Sequence, residues 1–122
     1  MLLTSPTKHI KHSQRESVYF KEISQILRET ALDDATVGLV TPTRLRLSAD
    51  SSICTVFMYT PEGEARFKEI LGTLILYKPS MRKALAQRVQ ARHTPELIFK
   101  FDDHYEKQER LEQLFEKIKH ES

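Results

Sequence analysis

Residues 60–89 read TPEGEARFKEILGTLILYKPSMRKALAQRV, and this stretch decides the fold. Thr60-Pro61-Glu62 is helix-start chemistry: a capping hydroxyl, a proline in the first turn and an early acid. Phe67, Ile70, Leu71 and Leu74 then recur at i, i+3, i+4 and i+7, which keeps one helical face apolar. Pro79 has no amide, and its ring clashes with the preceding turn, so it stops the helix. Ser80 recaps at once, and Met81, Leu85 and Val89 set a second apolar stripe. The stretch therefore predicts helix, sharp break, helix.

Two strands precede it. Residues 37–47 alternate, with Val37, Leu39, Leu45 and Leu47 on one face and Arg44 and Arg46 on the other; Pro42 requires an edge position or a bulge. Ile53 to Thr60 forms the next strand, with Cys54, Val56 and Met58 facing one way and Phe57 and Tyr59 the other. The short polar side chains of residues 48–52 make a turn, so the two strands read as an antiparallel hairpin. Upstream, Ser13-Gln14-Arg15-Glu16 has capping-box spacing, and Val18, Ile23, Ile26, Leu27 and Ala31 share one face, which predicts a first helix over about 14–31 behind a flexible tail, residues 1–12. Downstream, Leu97, Phe99 and Phe101 alternate with Ile98 and Lys100 as a third strand. Asp102-Asp103 then caps a last amphipathic helix, about 104–119, striped by Leu111, Leu114, Phe115 and Ile118.

The 122 residues fit one domain, here residues 13–122. Apolar side chains make up 39% and charged ones 30%, with no run long enough to cross a membrane and no secretory signal, so a cytoplasmic protein is expected. One cysteine, Cys54, excludes an intrachain disulfide, and three scattered glycines exclude a phosphate-cradling loop. The net charge of +2 is uneven: residues 77–100 hold six basic side chains against the single acid Glu96. That block is either an electrostatic footprint for an anionic partner or a solvated face balanced by the acidic C-terminal segment.

The resulting class is α+β, in the order α-β-β-α(kink)α-β, with helices over one face of a three-stranded sheet and an added C-terminal amphipathic helix. This is the layout of a type II KH domain. An ordinary KH domain grips single-stranded nucleic acid with a GXXG loop between its central helices, but the junction here, Tyr77 to Arg82, contains no glycine.

A more specific likeness covers roughly residues 13–103. Arg15, Val18, Glu22-Ile23, Ile26-Leu27, Ser48-x-Asp50 and Cys54-x-Val56 lead to Met81-Arg82 and Leu85. Ala91-Arg92-His93-Thr94-Pro95-Glu96-Leu97-Ile98-Phe99 and Asp102 complete the series. In order and spacing these residues resemble the ribosome-binding factor A family. The chain departs from that family at Asp33-Asp34, where Asp-Pro is usual, and at Lys78-Pro79, where alanine and glycine form the kink. The resemblance implies a non-enzymatic, cofactor-free, monomeric assembly factor that binds the small (30S) ribosomal subunit and 16S rRNA during late maturation. It further implies a part in 5′-end processing of 16S rRNA and in cold adaptation, with an assembly GTPase among the partners.

Candidate contacts are Arg15, Lys78, Arg82, Lys83 and Arg92, whose cations can neutralise phosphates, and Tyr77, whose ring can stack on an unpaired base. Arg88 serves either an ion pair or RNA, and Phe57 and Tyr59 either stack on bases or pack on Phe101 and the last helix. Lys8, Lys11 and Arg15 are a basic arm or part of the tail, while Ser48 and Asp50 shape the turn. His93, His104, Asp102 and Asp103 could be drawn as an acid–base or metal cluster, and His9-x-x-His12 as a metal pair, but Asp102-Asp103 is also an ordinary cap. Two other function classes fit the residues: a general single-stranded RNA- or DNA-binding KH-like module, and a protein-interaction or dimerisation domain using the C-terminal helix.

Overall fold

The computed structural model describes residues 4–121, with side chains from residue 12 to residue 120. Its elements are α1 (Thr4–Asp33), a short 3-10 turn (Ala35–Leu39), β1 (Thr41–Leu47), β2 (Ile53–Tyr59), α2 (Glu64–Arg88), β3 (Glu96–Phe101) and α3 (Asp103–Glu121). Strand order is β1-β2-β3, β1 antiparallel and β3 parallel to β2. A parallel return needs a crossover, and α2 supplies it. The α+β class, the element order and the covering of one sheet face are as the sequence predicts.

Period-two alternation puts Cys54, Val56 and Met58 of β2 and Leu97, Phe99 and Phe101 of β3 on one face, all buried. Tyr19, Ile23, Ile26 and Leu27 of α1 and Phe67, Ile70, Leu74, Met81 and Leu85 of α2 close over that face as a single core. Each fully buried side chain of this size contributes about 1.5–3 kcal/mol relative to exposure. On the outer face, Arg44 lies 3.9 Å above the Phe57 ring.

Local details correct the sequence reading. α1 does not start at Ser13, because Glu16 is not a cap: its carboxylate accepts the Leu47 amide at 2.9 Å and ties α1 to β1. The expected tail falls on this segment, where residues 4–12 are helical and residues 1–3 lie outside the described residues. Tyr19, not Val18, holds the first core position of the α1 stripe; Val18 is 48% exposed. Residues 37–39 belong to the 3-10 turn rather than to β1, since Asp34 Oδ1 accepts the Thr36 amide and winds the chain there. The Pro42 irregularity is present as a register shift between Pro42 and Arg44.

The helix start and the break also differ. Thr60 to Gly63 closes a turn, Gly63 amide to Thr60 carbonyl at 3.1 Å, and α2 begins only at Glu64. Gly63 has φ 92°, a left-handed conformation that glycine adopts without steric cost. α2 then continues through Pro79, so Ser80 does not open a second helix; its hydroxyl donates to the Tyr77 carbonyl at 2.9 Å. Apolar burial on both sides of the proline, through Leu74, Met81 and Leu85, holds the two halves on one core and outweighs the single missing hydrogen bond.

Asp102 links sheet and last helix. It is buried, accepts the Tyr105 amide at 3.0 Å as the cap of α3, and receives Thr43 Oγ1 and Arg44 Nε from β1. Burial works against its charge, but the bonds from Thr43, the Tyr105 amide and Arg44 prevail and hold its carboxyl below the ordinary range. α3 meets the sheet through Tyr105 against Tyr59, ring centroids 4.7 Å apart. Beyond that contact Leu111, Leu114, Phe115 and Ile118 are each more than half exposed.

Candidate nucleic-acid interface

α2 ends where the Val89 amide makes a last bond to the Leu85 carbonyl and Val89 turns extended. The following loop is latched from inside the helix. Arg82 donates Nε to the Pro95 carbonyl at 3.1 Å and an Nη to the Thr94 carbonyl at 2.9 Å. The Glu96 amide then bonds the Ser52 carbonyl, which sets residues 90–95 beside the hairpin turn.

That turn is rigid for a chemical reason. Asp50 Oδ1 accepts the Ser52 hydroxyl at 2.7 Å, the Ser48 hydroxyl at 2.8 Å and the Ser52 amide at 3.1 Å. These bonds, the Ser52 hydroxyl foremost, lower the Asp50 carboxyl to about 2. Ser51 is held at φ 61°, an uncommon conformation for a residue with a side chain, and its hydroxyl accepts Arg15 Nη1 at 2.8 Å. Turn, loop and α1 thus enclose a cleft of about 720 Å³ whose lining includes Arg15, Tyr19, Asp50, Ser51, Arg92 and His93.

Arg15 and Arg92 come from opposite ends of the sequence and meet on this cleft. Neither forms an ion pair among the described residues. A guanidinium offers five donors in a planar fork that fits phosphate, and Arg15 spends one donor on Ser51. His93 adds a ring that can stack or hydrogen-bond, while the Asp50 oxygen facing the turn is already occupied by Ser48 and Ser52. The cleft suits an anionic, partly aromatic ligand such as a nucleotide strand.

The other candidates lie along the middle of α2. Tyr77 is half-buried and donates its hydroxyl to Asp34 Oδ2 at 3.0 Å, a bond that raises its pKa above the usual tyrosine value. Lys78 places Nζ 5.8 Å from the centre of the Phe99 ring. Lys83 is exposed, and Arg82 is the loop latch. Arg88 pairs with Glu29 of α1, the structural alternative of the two expected. Tyr59 packs on Phe101 and Tyr105, again the structural alternative, whereas Phe57 lies beneath Arg44. Sequence reasoning did not pick out His93 as part of the cleft, although its adjacency to Arg92 just past a helix end was a usable signal.

Cys54 is fully buried, and burial pushes its thiol up to about 12. Among the described residues no group of three His, Cys, Asp or Glu is placed to hold a metal ion; the His9 side chain lies outside them. Among those residues, too, no helix is long and apolar enough to cross a membrane.

Comparison with known proteins adds a family. Residues 11–115 match the model of the family described as ribosome-binding factor A. A relative of that name from Halothermothrix orenii is 34% identical over 102 residues, 83% of this chain and 82% of its own. Another, from Aromatoleum aromaticum, is 30% identical over 112 residues, 91% of this chain and 87% of its own. Among solved structures, the crystal structure of ribosome-binding factor A from Thermus thermophilus superposes with a TM-score of 0.62 at 27% identity, covering 73% of this chain and 93% of that one. A Thermus thermophilus homology model fitted into the cryo-electron microscopy map of a 30S complex superposes with a TM-score of 0.50 at 30% identity, covering 66% and 88%.

Proposed function

The chain belongs to the ribosome-binding factor A family, and on that premise we propose that it is a small-subunit assembly factor that binds 16S rRNA through the cleft holding Arg15 and Arg92. The observation that carries this reading is the convergence of those two arginines, neither in an ion pair among the described residues, with His93 on a cleft whose walls are fixed by hydrogen bonds. The relative fitted into a 30S complex supports the choice of partner. The protein acts by binding rather than catalysis, as a monomer in the cytoplasm, during late maturation that includes 5′-end processing of 16S rRNA and matters most in the cold. An assembly GTPase is the natural agent of its release.

In this reading the residues divide their work. Arg15 and Arg92 take phosphates, and His93 stacks on or hydrogen-bonds a base. Lys83 and Lys78 extend the electrostatic track along α2, and Arg82 positions the loop that carries Arg92. Tyr77 braces α2 against the end of α1. Affinity from phosphate neutralisation falls as salt rises, by a logarithmic slope of about 0.7 per phosphate on a single strand.

The test is co-sedimentation of the purified protein with small subunits, large subunits and whole ribosomes across a salt series. Preference for free small subunits that weakens with salt and is lost in Arg15→Glu/Arg92→Glu is the expected result. Equal binding to every particle would reject the assembly-factor reading in favour of a general nucleic-acid module.

A further inference from the structure

On the far side of α1 from Arg15 runs a second recess, about 650 Å³, between α1, the 3-10 turn and the start of β1. Its walls are mostly apolar, from Phe20, Leu27, Val37 and Val40 among others. Ser24 lines it too. Only 9% of this residue is exposed, and its hydroxyl has no hydrogen-bond partner among the described residues. A buried hydroxyl without a partner is costly, and proteins keep few of them. Lys21 and Arg28 line the same recess, and neither is held in an ion pair among the described residues. Positions 21, 24 and 28 are spaced i, i+3 and i+7, so one row along α1 reads cation, hydroxyl, cation. A smaller depression of about 400 Å³ also has Phe20 in its wall and continues along the edge of β1 past Arg44.

We propose that this groove receives an unpaired base of single-stranded RNA, with Ser24 bonding the base edge and Lys21 and Arg28 holding the phosphates on either side. The inference rests on the assembly-factor reading for its class of partner and adds a contact outside the cleft of Arg15 and Arg92. Each element of the groove answers one part of a nucleotide. Apolar walls with the Phe20 ring accept a base by its faces, a hydroxyl that both donates and accepts suits any base edge, and flanking cations match the charge on each side. An apolar peptide side chain would leave the Ser24 hydroxyl unpartnered and give Lys21 and Arg28 nothing to neutralise.

The experiment compares wild-type protein, Ser24→Val and Lys21→Gln/Arg28→Gln for binding to a fluorescein-labelled, unstructured RNA oligomer by anisotropy over a salt series. Co-sedimentation of the same proteins with small subunits runs beside it. Ser24→Val replaces an unpartnered hydroxyl with two methyl groups at a residue lining a roomy apolar recess, so its melting temperature should hold or rise while oligomer affinity drops about threefold to tenfold. The double variant, changed only at exposed side chains, should lower the salt slope by about 1.4. Wild-type selection of small subunits together with unchanged oligomer binding by both variants overturns the groove but leaves the function standing. Loss of subunit binding with intact oligomer binding also overturns it, because the occupant would then be a protein segment. If the wild-type protein shows no preference for small subunits, the function reading itself falls.

Discussion

Two stretches of the basic block, the middle of α2 and the loop after it, carry similar residues to different ends. In mid-helix, Tyr77 bonds Asp34, Lys78 lies over Phe99 and Arg82 reaches forward to two backbone carbonyls. In the loop, Arg92 and His93 face the cleft opposite Arg15. The difference teaches that positive charge counted along a sequence does not measure charge available to a partner. An arginine with two donors on backbone carbonyls holds the loop in place, and its neighbour ten residues on faces the cleft because of it.

The comparison is broken most forcefully by reversing the loop charges. Arg15→Glu/Arg92→Glu should cost about tenfold in small-subunit affinity per reversed cation, about a hundredfold together, with the urea midpoint lowered only slightly by loss of the exposed Arg15–Ser51 hydrogen bond. A large loss of stability instead would place both arginines with the architecture. Arg82→Ala should do the opposite: a stability loss of about 1–3 kcal/mol in denaturant unfolding as the Thr94 and Pro95 carbonyls lose their charged donor. Its affinity defect should be the secondary effect, recovered where the loop is ordered by bound RNA.

Asp102→Ala tests whether the sheet end is equally structural, with about 0.5–2 kcal/mol expected from the lost α3 cap alone. Acid should reproduce part of that loss. The folded carboxyl of Asp102 titrates below its ordinary 3.8, so unfolding takes up a proton between the folded value and that one. The stabilisation is complete above the unfolded value and drains away as pH falls through the folded one. Asp50 acts alike between 3.8 and about 2. Asp102→Asn should flatten this acid limb in unfolding measured from about pH 5 to about pH 2. The smallest effect belongs to Lys83→Gln: no change in melting temperature, because the side chain is exposed, and a salt slope lower by about 0.7 if it meets a phosphate.

Much of the fold was legible because periodicity is a local property. Alternation in Ile53–Tyr59 and Glu96–Phe101 and the i, i+3, i+4, i+7 row in α2 each specify which face is buried. Some misreadings were places where a distant part of the chain took over a local signal, and others were short turn bonds that periodicity does not show. Glu16 left its capping box for the Leu47 amide, Asp34 wound the 3-10 turn, and core packing carried α2 across Pro79. Arg15 and Arg92 were readable as basic residues and as parts of a family pattern, but not as neighbours.

The sequence by itself determined the element order, most of the buried faces and the family, since these depend on side-chain type and short-range spacing. The tertiary structure alone decided which cations remain free. That outcome depends on where each guanidinium finds its acceptors: Arg82 at carbonyls twelve and thirteen residues ahead, Arg15 at a hydroxyl thirty-six residues away. Contacts of that range exist only once the chain has closed over its core.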